Sequence, residues 1–223
     1  MQKVFSGPPT VSSYVLDAIR ELIVDGHYPP GAKLDQRQLA NNLRVSLIPL
    51  RESLRQLEAE GLVRLSPHRG AFVAELSIDE LEEIYLIREV LEEQITQLAV
   101  ANLSPQDLAQ LDALLREMKQ ATAARDFEKQ LEFNRQFHFT IYHAAHRALL
   151  LQMITGLWDR SIRYRRLYQQ LPGRAQQAFA EHKEIFAACK KGDAIAAGKA
   201  VRNNVHQTAA GILAQINKQQ LDR

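Results

Sequence analysis

The feature that most constrains the fold is an unbroken series of helical patterns that fills the last two thirds of the chain. From Ser77 onward, apolar residues recur every three or four positions, which is the spacing of one face of an α-helix. The pattern predicts helices at residues 78–101, 105–123, 126–145, 147–169, 174–190 and 193–217, with breaks such as Pro172-Gly173. Such faces can be buried only against one another, so we expect an all-α, six-helix antiparallel bundle over residues 77–223.

The first third of the chain has a different pattern, in which short helices precede short strands. Helical spacing predicts helices at 10–25, 35–43 and 46–61, and alternating spacing predicts strands at 62–65 and 71–74. The two strands are joined by a Pro-His-Arg-Gly turn. Three helices and a two-stranded wing are typical of a winged helix-turn-helix, which we assign to residues 1–76. The chain is therefore predicted to be mainly α.

Charge and cysteine content limit the cellular setting. Residues 1–74 hold nine Lys/Arg against seven Asp/Glu, whereas the remaining residues hold nineteen of each, so the net charge of +2 comes from the first region. The one cysteine, Cys189, provides no disulfide within the chain, and no apolar run is long enough to span a bilayer. We therefore expect a cytoplasmic protein with no membrane partner.

Four arginines of the predicted winged helix-turn-helix have the chemistry of nucleic-acid contacts. The third helix of this motif enters the major groove with its N-terminal end first, and the wing can reach phosphate or the minor groove. Arg51 and Arg55 share a face of the third helix, Arg37 lies on the preceding helix, and Arg69 lies at the wing tip. The alternative is that Arg51 and Arg55 are solvated charges paired with acids; the order of the elements favours DNA binding.

Three helices of the second region each carry a histidine within their predicted apolar face. His138 lies on the helix at 126–145, one turn after Asn134, and His182 and His206 lie on the last two helices. Three imidazoles and an oxygen ligand suit Zn, Ni, Mn or Fe. For any single histidine, a satisfied core residue is the simpler interpretation, and for all three together the metal interpretation becomes competitive.

Arg88 interrupts the apolar face of the helix at 78–101. An arginine that faces a core requires a carboxylate or phosphate partner. Two interpretations remain open at this point. One is an internal salt bridge, for example with Glu92, and the other is the binding of a carboxylate effector.

The N-terminal region carries a motif that runs PGAKLDQRQLANNLRVSLIPLRESLRQLEAEGLVRLSPHRGAFV. The motif positions are Pro30, Gly31, Leu39, Ala40, Ser46, Pro49, Arg51, Glu52, Leu54, Leu57, Gly61, Leu62, Arg69 and Gly70. With these residues the region resembles the DNA-binding domain of the GntR family of bacterial transcription regulators. The resemblance implies DNA contacts at Arg37, Arg51 and Arg69, and we assign Ser46, Arg55 and Gly70 to the same surface.

The chain departs from that motif at Leu47 and Ile48, where the family has arginine and threonine. Leu47 is therefore expected to lie near the bases without providing a bidentate donor. A leucine or isoleucine can pack on a thymine methyl group, and weaker DNA binding is the alternative outcome.

The second region resembles the FCD ligand-binding domain of FadR-type GntR regulators, in its short VanR-like form. The resemblance rests on IYLIREVLEEQITQLA, FNRQFHFTIYHAAHRALLLQMI, EHKEIFAACKKGDAIAA and the late VHQTAAGIL. In that subfamily an Asp-x-x-x-His pair and two later histidines bind a divalent metal such as Zn, Ni or Mn. The resemblance therefore implies Asn134, His138, His182 and His206 as ligands, with asparagine in place of the usual aspartate.

Together these patterns predict a transcription regulator, a repressor, that binds an inverted-repeat operator on double-stranded DNA as a homodimer. A small carboxylate metabolite held near Arg88 is expected to control it. Two other hypotheses are a metalloenzyme that uses the three histidines, and a protein-interaction module that has lost DNA binding at Leu47 and Ile48.

Overall fold

The computed structural model describes residues 11–75, 77–169 and 174–221. The break predicted at Pro172-Gly173 lies outside these residues. The chain divides into two compact units, Met1–Ser77 and Ile78–Arg223. None of the helices in the described ranges combines the length and the low polarity needed to cross a membrane.

The first unit contains three helices and a small antiparallel sheet. Its elements are α1 (Val11–Val24), β1 (Lys33–Leu34), α2 (Gln36–Leu43), α3 (Leu47–Ala59), β2 (Val63–Ser66) and β3 (Gly70–Val73). The strand order is β1-β3-β2, with Lys33 opposite Phe72 and Ser66 opposite Gly70. The predicted two-stranded wing is the hairpin of β2 and β3, and the sheet has an additional strand, β1, whose two residues are too few to show an alternating pattern.

The core of the first unit forms where the apolar faces of the helices meet the sheet. Its buried side chains come from the three helices and the three strands, and include Val15, Ile19, Leu34, Leu39, Leu50, Leu54, Leu57, Leu62, Val63 and Ala71. The turn between α2 and α3 begins at Arg44, which has a left-handed φ of 55° and caps α2 with hydrogen bonds to Ala40 and Asn41. This packing fixes α3 on the unit with one long face exposed.

The second unit is helical throughout its described residues. Its helices are α4 (Ile78–Val100), α5 (Pro105–Ala124), α6 (Phe127–Ala144), α7 (Ala148–Gln169), α8 (Arg174–Lys191) and α9 (Ala194–Leu221). The predicted starts agree closely because the caps are encoded locally. Ser104 and Asp107 form a capping box at the start of α5, in which each side chain binds the other residue's backbone N–H, at 3.1 and 2.8 Å.

The inward face of α9 differs from the predicted one. His206, predicted to lie within the apolar face, is exposed, as are Ile195 and Arg202. The buried residues include Ala197, Val201, Asn204, Val205, Thr208, Ala209 and Ile212. Gly198 allows α9 to approach α4 closely, because a Cβ at this position would lie 2.7 Å from Gln97 Cγ and 3.0 Å from the Glu93 carbonyl oxygen.

Cys189 is expected to be chemically inert in the folded protein. Its side chain is buried, and burial raises the pKa of the thiol to about 12. At about pH 8 the native thiolate fraction should therefore be far below that of an exposed cysteine. We expect almost no reaction with dithionitrobenzoate in buffer and one thiol per chain in guanidinium chloride. Equal rates in the two conditions would contradict this prediction.

Candidate functional site

The helix α3 and the strand hairpin of the first unit enclose an open groove of about 520 Å³. Arg51 and Arg55 line it from α3, and Gln36 lines it from α2. The hairpin contributes the segment Ser66–His68 and Gly70. Because Leu50, Leu54 and Leu57 anchor the opposite face of α3 in the core, the helix presents both arginines to the groove side.

The acidic residues of α3 and of its C-cap have partners other than these arginines, although Glu58 lines the same groove. Glu58 accepts the backbone N–H of Leu65 at 2.8 Å, which ties α3 to β2. Glu60 binds Arg20 at 2.9 Å, and Glu52 accepts the hydroxyl of Ser12. Among the described residues, neither Arg51 nor Arg55 forms a salt bridge with an acid. Arg51 donates only to the Gln36 side chain, at 3.3 Å. The alternative interpretation, that Arg51 and Arg55 are solvated charges paired with acids, therefore does not hold within the described residues.

The two aliphatic residues at the tip of α3, Leu47 and Ile48, differ in how far they are exposed. Ser46 occupies the N-cap position with extended backbone, as expected, but its side chain makes no capping hydrogen bond. Leu47 is half-buried and packs against the core of the unit, whereas the side chain of Ile48 is 71% exposed. The large aliphatic that projects from the tip is thus Ile48 rather than Leu47.

The hairpin presents Arg69 at its tip, and Arg37 is exposed on α2. Pro67, His68 and Arg69 connect the paired residues Ser66 and Gly70, and Arg69 N–H donates to the Ser66 carbonyl at 3.1 Å. Gly70 has a φ of +104°, which residues with a Cβ rarely adopt. A glycine at this position lets the chain turn sharply into β3 and supports the exposed arginine.

The second unit contains a buried polar centre around Glu92, whose side chain is fully buried. The carboxylate accepts three hydrogen bonds: from Arg88 Nε at 2.6 Å, Trp158 Nε1 at 2.9 Å and Tyr142 Oη at 2.5 Å. These donors lie on α4, α7 and α6. A buried carboxylate requires such partners, since an unpaired charge in a core is very costly.

Arg88 forms the internal salt bridge, the first of its two predicted interpretations. Its guanidinium also donates to Ser161 Oγ at 3.0 Å and lies 4.7 Å from the Tyr85 ring centre and 4.6 Å from that of Trp158. Burial by itself lowers the pKa of Arg88, but the attraction and hydrogen bond of Glu92 together with the interactions of Tyr85 and Tyr142 outweigh it, and the pKa is raised. The residue is charged at every pH of interest.

Two of the predicted histidines come together inside the bundle. The rings of His138 and His182 lie 4.9 Å apart in an edge-to-face arrangement. Tyr142 gives its one proton to Glu92, so His138 Nδ1, 3.1 Å away, must donate to the Tyr142 oxygen. His182 Nδ1 donates to the Ala178 carbonyl at 2.6 Å.

Asn134 is also buried, as predicted, but the structure does not place His206 with this group. The His206 side chain is 62% exposed, and its Nδ1 lies 2.8 Å from Glu89 on α4. Within the described ranges no three His, Cys, Asp or Glu side chains are grouped so that they could hold a metal ion. The prediction that His206 points inward is wrong, and the described residues do not fit a three-histidine metal site. The metalloenzyme hypothesis rested on that site.

Sequence reasoning missed the partners of these buried residues and a second buried ion pair. Arg174 donates to both carboxylate oxygens of Glu181, at 2.8 and 3.1 Å, and Asn204 donates to the same carboxylate at 2.6 Å. Arg174 and Glu181 are seven positions apart on α8, which places them on one face. Opposite charges at that spacing beside His182 were the available signal.

Comparison with known proteins gives matches to both units. The family model described as "Bacterial regulatory proteins, gntR family" matches residues 12–73, and the FCD domain model matches residues 83–207. The HTH-type transcriptional regulator McbR of Escherichia coli K12 is 33% identical over 197 residues, which covers 86% of this chain and 88% of McbR. The HTH-type transcriptional repressor RspR of the same strain is 23% identical over 202 residues, or 91% of this chain and 89% of RspR.

Similarity to solved structures extends over nearly the whole chain. The structure of E. coli McbR/YncC has a TM-score of 0.83 at 31% identity, and the match covers 93% of this chain and 99% of that one. The likeness extends through the winged helix-turn-helix and the helical unit alike.

Proposed function

Because the chain belongs to the gntR family of bacterial regulatory proteins and carries an FCD domain, we propose that this DNA-binding transcription regulator is a repressor that binds an inverted-repeat operator as a homodimer. An operator with two half-sites matches a protein dyad, which is why a dimer is part of the proposal. The similarity to RspR, which is named a repressor, supports the sign of the response.

The observation that carries the proposal is the cationic groove between α3 and the hairpin. Arg51 and Arg55 line it and form no salt bridge among the described residues, while Glu58, which also lines it, accepts the Leu65 N–H. Arg37 and Arg69 are exposed on the neighbouring elements. In a winged helix-turn-helix this face meets the major groove. We assign Arg51 to base edges or phosphate, and the other three arginines to phosphate contacts that set the register.

The tip of α3 supports an operator preference unlike that of relatives with arginine and threonine at these positions. Ile48 projects into solvent and offers its aliphatic surface to a thymine methyl group. Ser46, whose side chain does not cap the helix, adds a hydroxyl that can donate to phosphate. Leu47 then contributes indirectly, because its packing on the core positions the tip of α3.

We further propose that a small carboxylate binds inside the second unit, near Arg88 and Asn134. Asn134 Nδ2 and Tyr85 Oη are buried and have no hydrogen-bond partner among the described residues. Buried donors of this kind are costly unless an acceptor reaches them, and carboxylate oxygens are such acceptors. Glu92 and Ser161 use two of the five N–H donors of Arg88. The proposal assigns no step to a metal, because His206 lies outside the buried centre.

The proposal is tested by fluorescence anisotropy with DNA from upstream of the protein's own gene. If three or four arginines per protomer reach phosphate, a dimer makes six to eight such contacts, and log K should fall against log salt with a slope of about −5 to −7. Specific binding should exceed binding to scrambled DNA by about 10³-fold or more. Binding that is indifferent to both salt and sequence would contradict the proposal.

A panel of small carboxylates added to the same complex tests the control step. The effector should release the operator, and the same compound should raise the thermal midpoint of the protein without DNA, as linkage requires. A compound that stabilises the protein but leaves the operator affinity unchanged would separate ligand binding from regulation.

A further inference from the structure

The helices α5 and α8 border an open groove of about 390 Å³ on the surface of the second unit. Its apolar lining comes from Leu115 on α5 and from Phe179 and Phe186 on α8. Both phenylalanines are half-exposed. Since they are seven positions apart, they lie on one side of α8, two turns from each other, and both contribute to the floor of the groove.

The rim of this groove is positively charged. Arg116 and Lys119 approach from α5, and Lys183 and Lys190 approach from α8. The lining contains one acid, Asp112, which pairs with Arg116 at 2.6 Å. Residues 75–223 as a whole hold nineteen basic and nineteen acidic side chains, so four cations against one acid is a local concentration of charge.

The combination of size, floor and rim restricts the occupant. Small-molecule sites in proteins typically enclose roughly 300–1,000 Å³, with an apolar lining and a few charged groups that fix orientation. Along α8 the line from Phe179 to Lys190 spans roughly 16 Å at 1.5 Å per residue. An apolar body with one acidic end satisfies both the phenylalanines and the lysines. An uncharged or cationic compound of the same shape satisfies only the floor.

We propose that the α5–α8 groove binds a small amphiphilic anion. Its alkyl or aryl body lies on Phe179 and Phe186, and its acidic group lies between the lysines of α8 and Arg116. The acidic group is a carboxylate, sulfonate or phosphate, since each accepts charge-assisted hydrogen bonds from ammonium and guanidinium groups. Phe179 and Phe186 lie on the side of α8 next to the one that buries His182, and the site depends on neither the operator nor the proposed carboxylate effector.

The test uses anilinonaphthalene sulfonate, a fluorescent aryl anion, on the full-length protein. The charge-reversed variant Lys183→Glu/Lys190→Glu should raise its Kd at least tenfold. The matched control is Lys191→Glu/Lys199→Glu, which reverses two exposed lysines outside the groove and should change Kd by less than twofold. Decanoate should displace the probe from the wild-type protein, whereas decanol and decyltrimethylammonium should not. Decyl phosphate distinguishes a preference for phosphate from one for carboxylate.

Three outcomes would overturn this inference. One is equal loss of probe binding in both reversed variants, because the effect would then be general electrostatics. Another is displacement by decanol that is as effective as displacement by decanoate, because the charges of the rim would then contribute nothing to binding. The last is a change of sedimentation coefficient in the groove variant with unaltered probe binding, which would assign the groove to a second copy of the chain. Circular dichroism verifies that every variant is folded.

Discussion

Replacement of Glu92 by leucine should lower the free energy of unfolding by about 3–5 kcal/mol. The change leaves the Arg88 guanidinium buried beside Tyr85 and Trp158 without its carboxylate partner, and it removes the acceptor of the Tyr142 and Trp158 hydrogen bonds. A single unpaired buried charge is among the most destabilising changes a core can suffer. Urea unfolding followed by far-ultraviolet circular dichroism measures the loss as a shift of the midpoint.

Two further variants separate charge burial from lost packing. Arg88→Met/Glu92→Leu removes both charges and should be more stable than Glu92→Leu alone, because apolar replacement of a whole buried pair is often nearly neutral. Glu83→Leu changes an exposed glutamate on the same helix and should stay within about 0.5 kcal/mol of the wild type. If the double variant is as unstable as the single one, the instability is not due to the unpaired arginine.

Arg51→Ala should abolish most operator binding while leaving the fold intact. A bidentate contact to a base edge is worth about 1–3 kcal/mol, and a dimer loses two of them, so we expect about 2–6 kcal/mol weaker binding and relaxed specificity at the contacted position. The side chain is exposed and forms one hydrogen bond, to Gln36, so the thermal midpoint should hardly change.

The matched control for this variant is Arg147→Ala, which removes an exposed arginine of the second unit. It should leave both operator affinity and specificity unchanged in the same anisotropy titration. A loss for Arg51→Ala that is uniform over all DNA sequences would reassign the residue to phosphate. No loss at all would remove α3 from the interface and favour the interaction-module hypothesis.

Local signals account for what the sequence predicts well. Helix starts such as Ser104-Pro105 are encoded within one turn, so periodicity and caps place them closely. Local signals do not predict which face of α9 is buried. Several faces of that helix are almost equally apolar, because it contains Ala196, Ala197, Ala200, Ala209 and Ala210. The close approach to α4 at Gly198 decides which face is buried, and that contact joins distant parts of the chain.

The arginine surface of the first unit and the buried centre of the second differ in how far the sequence predicts them. Arg51 and Arg69 follow from a motif contained in a single stretch and Arg55 follows from its helical spacing to Arg51, and the structure leaves all three exposed on the first unit. At the buried centre, the sequence spacing offers only the Arg88–Glu92 pair, four residues apart. Tyr142 and Trp158 reach Glu92 from 50 and 66 residues away. Such partners are brought together by the packing of distant helices, and the spacing of residues along the chain does not predict them.

The hydrogen bond from Trp158 to Glu92 also has an optical consequence. Trp158 is the one tryptophan of the chain, so the protein's indole emission arises from this position alone. The indole is almost fully buried, with a guanidinium over its face and a carboxylate on its nitrogen. Any molecule that enters beside Arg88 alters the local field at that ring. The second unit therefore carries its own spectroscopic label at the buried centre.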